Sequence, residues 1–122
     1  MANRKKIEKA EITYKGVKYE LVFNLNVMEQ IQDEYGSVEA WGELTEAATE
    51  PNAKAIKYGL GAMLNEGIDI YNEEHEGDED FKARAPFTLK QIGRIITEIG
   101  LANVANTINK TVIDSTKSDE KN

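Results

Sequence analysis

The hydrophobic period of this chain changes near Asn26, and that change limits the folds open to it. Before it, Ile12 and Tyr14, then Val17, Tyr19, Leu21, Phe23 and Leu25, fall on alternate positions. Period two places each run on one face of a strand. Lys15-Gly16 separates the runs, and glycine tolerates the positive φ of a tight turn, so Tyr14 and Val17 are predicted to bracket a hairpin. A two-stranded ribbon is marginal alone in water. The Tyr19, Leu21, Phe23 face must therefore pack on helices or on another subunit's strands.

After Asn26 the period is helical. Asn26 is placed to cap a helix over 27–35, with Glu29 as capping-box partner, Val27, Met28, Ile31 and Tyr35 as the apolar stripe, and Gly36 as the stop. Ser37 can cap the next helix, whose stripe is Val38, Trp41, Leu44 and Ala48. Glu50-Pro51-Asn52 ends it, because proline disfavours helical geometry in the residue before it and has no N–H to donate. A third helix is predicted over 53–66, with Ile56, Leu60, Met63 and Leu64 buried. Gly59 and Gly61 within it each cost about 1 kcal/mol relative to alanine, which favours close helix approach over a weak helix. Gly67 is read as an interruption and 68–84 as mostly loop. Thr88 and Gln91 then form a capping box ahead of Leu89, Ile92, Ile95, Ile96 and Ile99, the strongest amphipathic pattern present. Beyond Gly100, Leu101, Val104, Ala105, Ile108 and Val112 continue a stripe through a final helix.

The expected class is α+β, mostly α: an N-terminal hairpin packed on about five short helices. A basic tail over 1–6, one globular domain over 7–113 and a disordered polar tail over 114–122 complete the expectation. With 122 residues, one domain can bury roughly two-thirds of its unfolded surface.

Composition removes many chemistries. There is no cysteine and one histidine, His75, so disulfides, thiol nucleophiles and the usual zinc clusters are excluded. No Gly-Lys-Ser/Thr triplet or strand-linked glycine cluster offers a phosphate site. Asp69 to Asp80 is rich in carboxylates, but an EF-hand loop starting at Asp69 would need glycine and glutamate where Glu74 and Asp80 stand, so a solvated acidic loop is expected. His75 has no hydroxyl nucleophile near it in sequence and reads as an exposed loop residue. Glu29, Asp33 and Glu34 read as a solvated helix face. No catalytic, cofactor-binding or metal-binding residue is therefore assigned, and no enzyme is expected. No apolar run is long enough to span a bilayer, and Met1 to Ala10 is basic without an apolar stretch behind it, so neither membrane nor signal peptide is expected.

Charge lies in blocks. Residues 1–18 carry six Lys/Arg against two acids, 19–53 carry eight acids and no base, and 66–80 carry another eight acids without a Lys or Arg. An acidic middle repels phosphate, so nucleic acid is disfavoured and a basic partner surface is the easier inference. The alternative is that the acids only keep a small protein soluble. What remains is interaction. Trp41 and Leu44, on a helix carrying Glu39, Glu43 and Glu46, and Val104, Ile108 and Val112 on the last helix, are either core or the tentative partner-binding surface. A hairpin edge or the last helix could support a homo-oligomer.

The order of these features resembles a family. A basic start, Tyr14-Lys15-Gly16-Val17-Lys18-Tyr19, Phe23-Asn24-Leu25-Asn26 before a helix ending Glu34-Tyr35-Gly36, Ala55 to Leu64 with Tyr58-Gly59-Leu60, and Thr88 to Val112 around Gly100 are similar to the small tail assembly chaperones of long-tailed bacteriophages. The resemblance covers about residues 7–113. The acidic stretch Asp69 to Asp80 departs from it. The resemblance implies a non-enzymatic protein of the host cytoplasm, from phage or prophage, that binds the tape measure protein, keeps its apolar helices soluble, helps recruit tail tube subunits and is absent from the mature virion. It also implies a longer frameshifted form. No site residues transfer individually. The alternative expectation is a small structural tail or head–tail connector subunit retained in the virion.

Overall fold

The computed structural model describes residues 10–46 and 50–120, with side chains described to 115. The class is α+β, mostly α. Strands β1 (Glu11–Tyr14) and β2 (Val17–Glu20) form an antiparallel hairpin with Tyr14 opposite Val17. Both turn residues have positive φ, Lys15 at 52° and Gly16 at 79°, the two-residue geometry whose twist matches the strands it joins. The predicted hairpin is therefore present, but β2 is shorter than its alternating pattern. The Leu21 N–H still bonds the Ala10 carbonyl (2.9 Å), continuing the hairpin register, whereas the Val22 N–H donates to the Met63 carbonyl (3.3 Å), so the chain leaves the ladder there to climb onto a helix.

Helix α1 (Leu25–Tyr35) begins two residues before the predicted start. Its cap is Asn24, whose Oδ1 accepts from the Val27 N–H at 3.2 Å, not Asn26. The Nδ2 groups of Asn24 and Asn26 both donate to Glu66 Oε2, at 2.8 and 3.1 Å, which ties the start of α1 to a residue distant in sequence. Leu25, predicted to continue the strand face, is 76 % exposed on the helix's first turn. Helix α2 (Val38–Thr45) starts as expected, with Ser37 Oγ accepting from the Ala40 N–H. Ala48 lies outside the described residues.

Helix α3 (Ala53–His75) is the spine of the molecule, packing on β2, α1 and α2 and on two later helices. It runs well beyond the predicted end at Glu66, and Gly67 does not interrupt it. A Cβ at Gly67 would collide with the Glu20 carbonyl oxygen. Glycine is there because the hairpin crosses the helix in contact with its backbone. Gly59 answers the expectation of close approach, since a Cβ there would overlap the Trp41 ring. Gly61 does not: its added Cβ would sit 3.5 Å from Ile92 Cγ1, an ordinary contact.

The link from α3 to α4 (Leu89–Ile99) is held by two asparagines. Asn72 Oδ1 accepts from the Arg84 N–H (2.9 Å) while its Nδ2 donates to the Arg84 carbonyl (3.0 Å). Asn65 does the same for Phe87, at 2.8 and 3.0 Å. Each side-chain amide thus pairs like a backbone peptide in a ladder. Seven helical residues and three extended residues both span about 10 Å, so the two clamps fit one straight segment. Helix α4 has the predicted Thr88–Gln91 capping box and ends at Gly100, φ 108°. Helix α5 (Leu101–Glu120) continues through the polar residues after Asp114 that were expected to be disordered, and Ser115 Oγ donates to the Phe23 carbonyl at 3.2 Å.

One core joins all the elements. Ile12 and Leu21 from the hairpin share a buried cluster with Val27, Ile31, Trp41, Leu60, Met63, Ile92, Ile95, Val104 and Ile108. Phe87 reaches back to the hairpin edge-on, its ring 5.1 Å from Tyr19 and 6.1 Å from Tyr14. The ribbon is thereby packed on helices, as its isolated instability requires.

Candidate partner groove between α2 and α5

The five residues predicted to meet a partner separate cleanly. Trp41, Val104 and Ile108 are at most 1 % exposed and belong to the core. Trp41 is fixed there by its indole Nε1–H, which donates to the Ala55 carbonyl at 2.9 Å. Three of the five are thus corrected from candidate surface to packing, because the stripes that suggested an interface are the faces the five helices turn toward each other. Leu44 is exposed but does not line the α2/α5 groove. Val112 is half-buried and does line it.

The groove is a shallow cavity of about 300 Å³. Its floor is Val38 and the edge of Trp41 from α2, and Val112 and Ile113 from α5. Ile113, which the stripe reading passed over, is 54 % exposed. Asn109 closes one side, and Gly42, with no atom near the position of an added Cβ, keeps the α2 wall low. On the other side stand Glu39, Glu43 and Glu46, all exposed. Their spacing of four and three residues puts Glu39 and Glu43 on one flank of α2, with Glu46 following at its C-cap. Among the described residues none of the three has an ion-pair partner, whereas Lys54 sits 3.8 Å from Glu34 and Lys110 2.9 Å from Asp114. Glu39 lies in the first turn of α2, where the helix dipole favours an acid, but the like charges of the row oppose one another.

A larger cavity, about 430 Å³, lies between the hairpin, α3 and the following loop. Of the two basic residues that line it, Lys18 and Arg84, Arg84 is already engaged: its guanidinium carbon is 3.7 Å from the Tyr71 ring centroid and 5.1 Å from that of Tyr19, and Nη1 donates to the Lys18 carbonyl at 3.3 Å. That cluster reads as a clamp holding the loop to the hairpin. His75, expected on a loop, is the last residue of α3; its ring stacks on Tyr71 at 4.1 Å and its Nδ1 lies 2.9 Å from the Tyr71 carbonyl. Much of the acidic stretch is helical rather than loop, since Asp69, Glu73 and Glu74 lie on α3, and its acids are exposed. Among the described residues no three or more His, Asp or Glu side chains gather as metal ligands would.

Burial pushes the Tyr35 hydroxyl above the ordinary tyrosine pKa, with Glu34 and Tyr58 adding to it; Tyr58 is raised by burial first, then by Glu34 and Asp33. The two rings pack edge-on at 5.7 Å. Tyr58 donates to the Gln30 carbonyl (3.0 Å), while the buried Tyr35 hydroxyl has no hydrogen-bond partner among the described residues. Among the described residues, no helix is long and apolar enough to cross a membrane. No family model, no curated protein and no solved structure matches the chain.

Proposed function

We propose that this chain is a non-enzymatic assembly chaperone of a long-tailed phage or prophage, which binds the tape measure protein in the host cytoplasm and leaves before the virion is complete. The observation that carries the reading is the α2/α5 groove, where exposed Ile113 and half-buried Val112 and Val38 lie beside an acidic row. An apolar trough of this kind suits the apolar face of a client helix, and the net charge of −7 supports keeping a client complex in solution. The sequence resemblance over residues 7–113 supplies the identity of the client, and with it the tail tube protein as a further partner and self-association as an accompanying property.

Co-expression tests the reading. The tape measure protein is expected to shift from the insoluble to the soluble fraction when this chain is present, and an unchanged insoluble fraction would count against it. Mass spectrometry of purified particles separates it from the alternative of a structural tail or connector subunit, since a chaperone is absent from the particle and a subunit is not.

A further inference from the structure

We infer that the occupant of the α2/α5 groove is a cationic amphipathic helix, held by apolar side chains on Val38, Val112 and Ile113 and by lysine or arginine on Glu39, Glu43 and Glu46. The inference rests on the chaperone reading only for the identity of the client; its chemistry comes from the groove.

Two features act together. The exposed part of Ile113 and the half-buried Val38 and Val112 form an apolar strip, and burying such surface drives association without selecting a partner. Selection comes from the rim. The three glutamates follow one another at spacings of four and three, line the same groove as the strip, and form no ion pair among the described residues. A helix laid along the groove with bases at the same four-and-three spacing meets all three carboxylates while its apolar face covers the strip. An anionic or neutral helix would cover the same apolar area but leave the row unpaired or repelled. Each exposed pair contributes modestly, so the discrimination comes from the row rather than from a single glutamate.

The test uses the full chain and a synthetic amphipathic helical peptide built from leucine and lysine. Trp41 is the sole tryptophan and forms part of the groove floor, so its emission reports occupancy. Saturable binding that weakens with added NaCl is expected. The triple variant E39Q/E43Q/E46Q changes only exposed side chains, and its far-ultraviolet circular dichroism should match the parent while its affinity falls by about tenfold. Ile113→Asp should weaken binding independently. Equal affinity of parent and triple variant, or equal binding of a leucine–glutamate peptide, overturns the inference. So does either rival occupant: a second copy, shown by self-association in sedimentation that the triple variant abolishes, or the chain's own basic start, shown by much tighter peptide binding in R4E/K5E/K6E. If the triple variant still solubilises the tape measure protein as well as the parent, the groove assignment fails and the chaperone reading stands. If the cationic peptide binds as described but co-expression leaves the tape measure protein insoluble, the reverse holds.

Discussion

Single atoms decide where this fold tolerates change. At Gly67 an added methyl would meet the carbonyl oxygen of Glu20, a backbone atom that cannot rotate away. At Gly61 it would rest 3.5 Å from Ile92 Cγ1. Alanine gains about 1 kcal/mol of helix propensity over glycine at both sites. Gly61→Ala should therefore raise stability by up to about 1 kcal/mol, and Gly67→Ala should lower it by about 1–3 kcal/mol because overpacking outweighs the propensity gain. Urea denaturation of the two variants measures the difference in sign. Tyr35 gives a second contrast. Its hydroxyl is buried without a partner among the described residues, so Tyr35→Phe removes an unsatisfied group and should leave stability unchanged or raise it by up to about 1 kcal/mol. The pH effect follows from the raised pKa. The folded state holds the proton above the ordinary value of 10.0, so the contribution is full below pH 10.0 and is lost as pH rises through the folded-state pKa. Thermal melts in that alkaline range should decline less steeply for Tyr35→Phe than for the parent.

At the level of elements, the two asparagine clamps do what a third strand would do elsewhere. Removing either amide strips hydrogen bonds from both the N–H and the carbonyl of one loop residue. Asn65→Ala and Asn72→Ala should each cost about 1–3 kcal/mol. Amide exchange locates the effect: the Phe87 N–H should lose protection in the first variant and the Arg84 N–H in the second, with the α5 amides unaltered. The boundaries of elements were legible where a local device sets them. Ser37, Thr88 with Gln91, Gly36 and Gly100 act within one turn of their own chain, and all stand where their residue types predict. Asn24 could not be chosen over Asn26 from sequence, because both can cap, and the tie of both amides to Glu66, some forty residues away, appears only in the fold. The same holds for Gly67, whose role appears only when the hairpin lies against it.

At the scale of the whole molecule, hairpin and helices share one buried cluster, with Ile12 and Leu21 placed among side chains of every helix. Neither part has a core of its own, so unfolding should be a single cooperative step. Trp41 fluorescence and far-ultraviolet circular dichroism should trace coincident transitions in urea, and Leu21→Ala should lower both midpoints together, at a cost of about 2–5 kcal/mol. Separate transitions would show that the hairpin detaches first. The groove belongs to this scale as well. The row Glu39, Glu43, Glu46 was visible in the sequence as the charged side of a helix, but its partner wall comes from α5, seventy residues later.

Period, caps and turn residues are properties of neighbouring residues, and they were enough to define an α+β chain with a hairpin at Lys15-Gly16 and helices beginning at Ser37 and Thr88. Whether an apolar stripe is core or surface is not local. Val104 and Val112 lie eight residues apart on one helix with like side chains, yet the first is fully buried and the second borders the groove. Only the packing of α5 against the other helices sets that difference, because burial depends on what occupies the space opposite a side chain.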